Sequence, residues 1–236
     1  MPLSALPPPN RLALLLDFDG TLVELAPTPD SVVIPPGLGD LLARLSRRLD
    51  GALALVSGRP LADLDRFLPA IPAALAGEHG GVFRLSPESE ASRPDLPSVP
   101  PAWRREAERL VEAHPGALFE PKARGFVVHY RAIPEAGEAL RAPLAALVAK
   151  DAARFMLLPS HMAWEIRPRG ADKGSAVRHL LAQPPFLRRI PVFVGDDVTD
   201  EDGMRAAREA GGEGLFVADR FGDPAGVRDW LATLAA

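Results

Sequence analysis

The segment LALLLDFDGTLVEL, Leu12 to Leu25, places two carboxylates, Asp17 and Asp19, one residue apart at the end of an apolar run. On an extended segment, side chains two apart point the same way, so both acids would face one pocket and repel each other. Gly20 permits a tight turn after them, and Thr21 offers a hydroxyl. In isolation such a D-x-D-G segment is equally half of a calcium loop, a glycosyltransferase metal motif or a pair of solvated acids. A second acidic stretch narrows the choice. In GDDVTDED, Gly195 to Asp202, five of eight residues are acidic. A helix N-terminus favours acids through its dipole, which accounts for Asp200 and Glu201 better than for Asp196 and Asp197. Acids on two strand ends of one sheet would form a hard, oxygen-rich, octahedral site, the chemistry of magnesium. Such a cation would offset the repulsion between Asp17 and Asp19. Between the two acidic stretches lie Ser57-Gly58-Arg59 and Asp172-Lys173-Gly174. Their hydroxyl and ammonium could bind the oxygens of a tetrahedral anion, helped by a helix N-terminus. Each is also readable as a plain turn or a plain cap.

These residues need elements to position them. Arg11 to Leu16 is a short continuous apolar run, the pattern of a strand buried on both faces of a parallel sheet. Leu38, Leu41, Leu42, Leu45 and Leu49 fall at helical spacing. Ala52 to Val56 is a second buried strand, and Pro60 suits the first position of a helix carrying Leu61, Leu64, Phe67 and Leu68. Ala73 to Ala76 is a third strand. Alternating strands and helices predict an α/β doubly wound domain whose ligands lie at the carboxyl ends of the strands. Five prolines between Pro87 and Pro101 read as a linker. Beyond it a helix–strand–strand pattern is predicted twice: a helix near 102–113 with strands near 117–121 and 125–131, then a helix over 135–149 with strands over 154–158 and 163–167. This predicts a small inserted domain. The first pattern resumes with Asp172 capping a helix, a strand over Ile190 to Val194 and another over Gly214 to Val217. The domain expectation is 1–99 and 169–236 for the core, with 100–168 inserted.

Composition excludes several classes. The 236 residues carry a formal net charge of −4, which argues against a general nucleic-acid surface. There is no cysteine, so neither disulfides nor thiolate metal sites exist, and a reducing compartment fits. MPLSALPPPN does not read as a signal peptide, and no apolar run reaches the ~18 residues of a membrane span. A cytoplasmic monomer without nucleic-acid or membrane partners is expected. Arginine outnumbers lysine 24 to 3, so Lys122, Lys150 and Lys173 stand out against a strong bias.

In this order, LLLDFDGTL, VSGR, DKG and VGDDVTDED resemble the four motifs of the haloacid-dehalogenase (HAD) phosphatase superfamily. LDFDGTL with PTPD, SGRP, GEHG, VVHYR, WEIRPRGADKG and VGDDVTDED is closer still to trehalose-6-phosphate phosphatases, over nearly the whole chain. The resemblance implies a HAD-like Rossmannoid core, a parallel sheet with helices on both faces, and an inserted small α/β cap domain that closes over it and selects a sugar phosphate. It implies Asp17 as nucleophile attacking phosphorus and Asp19 as general acid and then base. It implies magnesium held by Asp17, the main-chain carbonyl of Asp19 and Asp196, with Asp197 and Asp200 in support. Ser57 and Lys173 would stabilise the transferring phosphoryl group, and Gly20, Thr21, Gly58, Arg59 and His79 would bind the substrate. Glu120, Lys122, Arg131 and Glu165 would contact sugar hydroxyls, while His129 and Tyr130 read equally well as packing. The chain departs from the family at His161 and Ala163, where lysine and asparagine are frequent, and at Glu78, where asparagine is frequent. These touch the sugar-reading side and leave open another sugar phosphate, of sucrose or glycosylglycerate type. A binding module without turnover would not need a paired nucleophile and acid, and a glycosyltransferase leaves Lys173 and the late GDD unexplained.

Overall fold

A computed structural model of the chain describes residues 6–160 and 162–236. His161 and the start of the N-terminal segment lie outside the described residues. In chain order the elements begin with β1 (Leu12–Leu16), α1 (Leu38–Arg48), β2 (Leu53–Val56), α2 (Leu61–Phe67), β3 (Ala74–Gly77) and β4 (Val82–Arg84). Next come α3 (Pro101–Glu112), β5 (Leu118–Pro121), β6 (Phe126–His129), α4 (Gly137–Ala149), β7 (Phe155–Ser160) and β8 (Ala163–Pro168). The chain closes with α5 (Lys173–Leu181), β9 (Ile190–Gly195), α6 (Glu201–Glu209), β10 (Glu213–Phe216), α7 (Val217–Arg220) and α8 (Pro224–Ala235). They separate into two units: the described residues up to Pro94 together with Asp172–Ala236, and Asp95–Ala171, against the expected insertion of 100–168. Among the described residues no helix is long and apolar enough to cross a membrane.

The first unit is built on a six-stranded sheet in the order β10-β9-β1-β2-β3-β4. Every pairing is parallel except that of β3 with β4. All five residues of β1 and all four of β2 are buried, the reason these strands carry no polar alternation. Leu38, Leu41, Leu42 and Leu45 of α1 are buried in the same apolar core as Phe18, Phe83, Phe186 and Phe193.

Two further elements of this unit bear on the loops around the site. β4 folds back on β3 through Glu78, His79 and Gly80, all at positive φ (52°, 56° and 94°). Two of these three are not glycine, and Glu78 in particular is a residue that turn chemistry does not mark for positive φ. α8 begins with Asp223, whose side chain accepts from Gly226 N at 2.8 Å, and Pro224. This cap and proline pair is a legible helix start. The helix buries Val227, Trp230 and Leu231. Its Arg228 donates to Leu22 O at 2.9 Å, tying the C-terminal helix to the loop that follows Thr21.

The second unit repeats helix–strand–strand, as α3-β5-β6 and α4-β7-β8, in an antiparallel sheet of order β5-β6-β8-β7. Trp103 of α3 and Leu140 and Leu144 of α4 share a core with Phe126, Val128, Phe155 and Ile166. Trp103 meets Phe155 edge-on at 5.1 Å. Side chains alternate along a strand, so Val127, His129 and Glu165 occupy the sheet face opposite the helices. Glu120 pairs with Val127, and Val127 with Glu165, which sets the two glutamates in one row across that face.

Candidate active site

Strand register brings the core residues together. Leu16 pairs with Val194, and Asp17 N donates to Val194 O at 2.9 Å, so β1 ends beside the Gly195-Asp196 end of β9. Ser57 follows β2 on the other side, its amide donating to Ala76 O at 2.8 Å. Asp196, Asp17 and Ser57 therefore leave three neighbouring strands at their carboxyl ends, where open α/β sheets bind ligands. Gly20, at φ 71°, is required by close approach. A Cβ there would stand 2.0 Å from Asp196 Oδ2. A side chain at position 20 would thus displace the Asp196 carboxylate.

Asp172 caps α5 by accepting from Ser175 N at 2.7 Å, which sends Lys173 into the strand ends at the first helical position. Lys173 is 4% exposed. Its Nζ donates to Asp17 Oδ1 at 2.7 Å and to Asp200 Oδ1 at 2.6 Å. Asp200 is fully buried, and its second oxygen accepts the amides of Asp196 (3.1 Å) and Asp197 (3.0 Å). One buried acid therefore aims the lysine and shapes the GDD loop. Asp197 itself caps the following turn, accepting from Val198 N at 2.6 Å.

Asp17, Asp196 and Asp200 each present a carboxylate oxygen, all within 4.8 Å of one another. Three carboxylates thus face one ammonium. Burial, against the pull of Lys173, pushes the Asp17 carboxyl from the ordinary 3.8 up to about 8. Burial first and Asp200 second push Asp196 up to about 6. Burial works to lower the Lys173 ammonium, but the Asp17 and Asp200 carboxylates outweigh it and hold its pKa above that of an ordinary lysine. An all-oxygen, charge-surplus cluster at a strand end fits a hard divalent cation. Thr21 Oγ1, fully buried in the turn that follows Gly20, has no hydrogen-bond partner among the described residues, as suits a hydroxyl kept for a ligand oxygen.

The raised acids have a measurable consequence. The folded chain holds protons on Asp17 and Asp196 that the unfolded chain has released, so between about pH 4 and pH 8 rising pH disfavours folding. In chelator, thermal melts should give a lower Tm at pH 8 than at pH 5. Added magnesium should recover more at pH 8. A Tm that climbed from pH 5 to pH 8 would show that the cluster is not under this strain.

Asp19 goes elsewhere. Its carboxylate receives Arg59 Nε at 2.6 Å and Nη2 at 2.8 Å, so the two acids of the opening motif are divided between two cations. Arg59, expected to bind the substrate, has its guanidinium on Asp19. The β3–β4 turn holds this loop: Glu78 N donates to Arg59 O at 2.9 Å and His79 N to Ser57 O at 3.0 Å. The His79 ring packs on Gly58, where a Cβ would lie 2.6 Å from it. Glu78, a departure placed on the sugar-reading side, instead forks to Arg93 at 2.8 Å on both oxygens.

In the second unit, Glu120, Lys122 and Glu165 come together on the face opposite the helices. Glu120 is ion-paired with Lys122 and receives His129 Nε2 at 2.8 Å. Burial works to raise the Glu120 carboxyl, but the Lys122 and His129 hydrogen bonds hold it below the usual range. His129 is therefore part of this polar cluster and not packing. Its alternation with Val128 in VVHYR was the signal that could have placed it. Tyr130 does pack, 6.3 Å from the Trp164 ring. Glu165 lies 3.9 Å from Arg167, Arg131 stands exposed beyond β6, and Ala163 is buried.

Comparison with known proteins places this geometry in context. A family model described as trehalose-phosphatase matches residues 15–225. The chain is 35% identical over 206 residues to a trehalose-6-phosphate phosphatase of Escherichia coli, covering 86% of this chain and 76% of that protein. It is 35% identical to a probable trehalose-phosphate phosphatase of Sinorhizobium fredii, covering 95% and 83%. Among solved structures, the C-terminal domain of a Candida albicans trehalose-6-phosphate phosphatase shares the fold, with a TM-score of 0.73 at 22% identity over 96% of this chain and 93% of that one.

Proposed function

Because this chain belongs to the trehalose-phosphatase family, we propose that it hydrolyses trehalose 6-phosphate to trehalose and inorganic phosphate, a step of trehalose biosynthesis, through an aspartyl-phosphate on Asp17. The observation that carries this reading is the buried Asp17 carboxylate at the end of β1, held by Lys173 and facing the acids of the β9 loop. A binding protein would have no use for three crowded carboxylates around one buried lysine.

In the first half-reaction an Asp17 oxygen bonds to phosphorus as the bond from phosphorus to the sugar oxygen breaks, and Asp19 gives that oxygen a proton. In the second, water attacks the aspartyl-phosphate, the Asp17–phosphorus bond breaks, and a proton passes from water to Asp19. Lys173 stabilises the oxygens of the transferring group, with the Ser57 hydroxyl and the buried Thr21 hydroxyl as further donors. Asp200 holds Lys173 and the Asp196–Asp197 amides in place and acts through them. Magnesium would be held by Asp17 and Asp196, with the Asp19 carbonyl, and supplies positive charge against which phosphoryl oxygens are stabilised. The second unit reads the sugar with Glu120, Lys122 and Glu165, fixed acids and a cation that suit vicinal hydroxyls, while Arg131 adds an exposed donor.

The second unit, whose polar cluster would read the sugar, leaves one second reading, the same chemistry on a different sugar phosphate of sucrose or glycosylglycerate type. Phosphate release across a panel of sugar phosphates, with magnesium and with chelator, decides between them. Trehalose 6-phosphate should give the highest kcat/KM, and chelator should abolish it. A better substrate within the panel would replace the sugar while keeping the reaction. No release from any ester would overturn the reading.

A further inference from the structure

The Arg59 side chain is pinned by Asp19 and by two aromatic rings of the first unit. Nε and Nη2 donate to the two oxygens of Asp19 at 2.6 and 2.8 Å, a planar fork on a planar carboxylate. The guanidinium carbon lies 5.8 Å from the Phe18 ring centre and 5.1 Å from that of Phe67. The backbone is fixed as well: Arg59 N donates to Ser57 Oγ at 3.2 Å, and Arg59 O accepts from Glu78 N at 2.9 Å. Its side chain is only 11% exposed. A residue built to reach out and clamp a substrate would keep rotamer freedom and an open donor face. This one is anchored at both ends and directed at another residue of the site.

We propose that Arg59 is a positioning residue that acts through Asp19. The inference rests on the reading of Asp19 as the proton carrier of both half-reactions. The fork fixes the plane of the carboxylate and presents it as an acceptor on both oxygens. That is the state the second half-reaction requires, when a proton leaves the attacking water for Asp19 as the Asp17–phosphorus bond breaks. For the first, one oxygen gives up its Arg59 hydrogen bond to keep the proton taken from water in the preceding turnover and delivers that proton to the departing sugar oxygen, while the other oxygen stays on the guanidinium. Arg59 thus keeps Asp19 from turning away during the exchange. The Glu78–Gly81 turn, bonded to Arg59 and Ser57 through the backbone, sets the position of the fork.

A kinetic double-mutant cycle tests this: wild type, Arg59→Lys, Asp19→Asn and the double variant, each with magnesium, on the sugar phosphate and on 4-nitrophenyl phosphate. Lysine keeps the charge but cannot make the fork. Arg59→Lys should lower kcat on the sugar phosphate about 10- to 100-fold, a share of the usual general acid–base contribution, with KM within about twofold. Added to Asp19→Asn, it should change kcat by less than about threefold, because its route to the chemistry is already gone. The aryl ester keeps the cycle readable, since nitrophenolate leaves without a proton. The rate of its first-turnover burst in Asp19→Asn should not change when Arg59→Lys is added. Losses that multiply, or a raised KM at unchanged kcat, would make Arg59 a substrate contact and overturn the proposal. A wild-type chain silent on both esters would instead overturn the functional reading on which it rests.

Discussion

Asp17→Asn should fold and should release phosphate at least about 10⁴-fold more slowly than the wild type, the scale seen when a covalent nucleophile is removed. The substitution is close to isosteric. The amide oxygen can still accept from Lys173 Nζ, now 2.7 Å from Asp17 Oδ1, so the helix start at Asp172 and the strand end at Leu16 lose no packing. What disappears is the charged oxygen that would bond to phosphorus. Stability should move the other way from activity. Asp17 is pushed up to about 8 mainly by burial, so its ionised form opposes folding in the metal-free chain at pH 8. Removing that charge should leave the Tm in chelator equal to or above that of the wild type. An inactive variant that melted much lower would mean that the carboxylate has a structural role. Phosphate release near the wild-type rate would remove the covalent step and send the search for a nucleophile elsewhere.

The parts of this site that lie at strand ends were readable from residue types alone. An apolar run as short as Leu12–Leu16 fits a strand buried on both faces, which puts the residue after it, Asp17, at a strand end. The same logic places Asp196 after β9 and Ser57 after β2. Asp172 announced its helix through its residue type and its position before Lys173. The pairings across the site were not readable, because spacing in sequence carries no information on which cation meets which acid. Arg59 is 40 residues from Asp19, and Lys173 is 156 from Asp17. Nor could the β3–β4 turn be read: it depends on Glu78 and His79 adopting left-handed conformations that turn rules reserve mainly for glycine and asparagine. Once that turn is missed, Glu78 looks like a sugar contact, when its carboxylate fastens Arg93. On the second sheet, period-two alternation identified the core side, through Phe126 and Val128, better than the working side. His129 looked apolar in company with its valines, although alternation alone puts it beside Glu120. α8 is legible in its Asp223-Pro224 start and in the helical spacing of Val227, Trp230 and Leu231, but residue types alone do not tie it to the site. Its Arg228 nevertheless supports the loop after Thr21.

Lys173→Met should fail for a different reason from Asp17→Asn, and the contrast separates electrostatics from covalent chemistry. Methionine has nearly the length of the lysine and fills the same buried space, so packing around α5 survives. The ammonium that joins Asp17 to Asp200 at 2.7 and 2.6 Å does not. Activity should fall by about 10³-fold, the upper range for losing one donor preset on developing charge. Stability should fall as well: removing one partner from a buried ion pair costs about 3–5 kcal/mol. That loss should depend on pH. Asp17 already tends to hold a proton below about pH 8, so at pH 5 the orphaned acid can neutralise itself, and the stability deficit in chelator should be smaller there than at pH 8. An equal deficit at both values would mean that Lys173 stabilises by packing its methylenes and not by its charge. Lys173→Arg supplies the remaining control. In a chain with 24 arginines and 3 lysines, arginine is the ordinary cation, yet this site holds lysine. The site is 4% exposed and asks for one compact charge between two carboxylates, and a planar fork with five donors cannot enter it without displacing Asp17 or Asp200. The Lys173→Arg variant should therefore be nearly as inactive as Lys173→Met while keeping more of the wild-type stability at pH 8, because its charge still neutralises the acids even where its geometry fails the reaction.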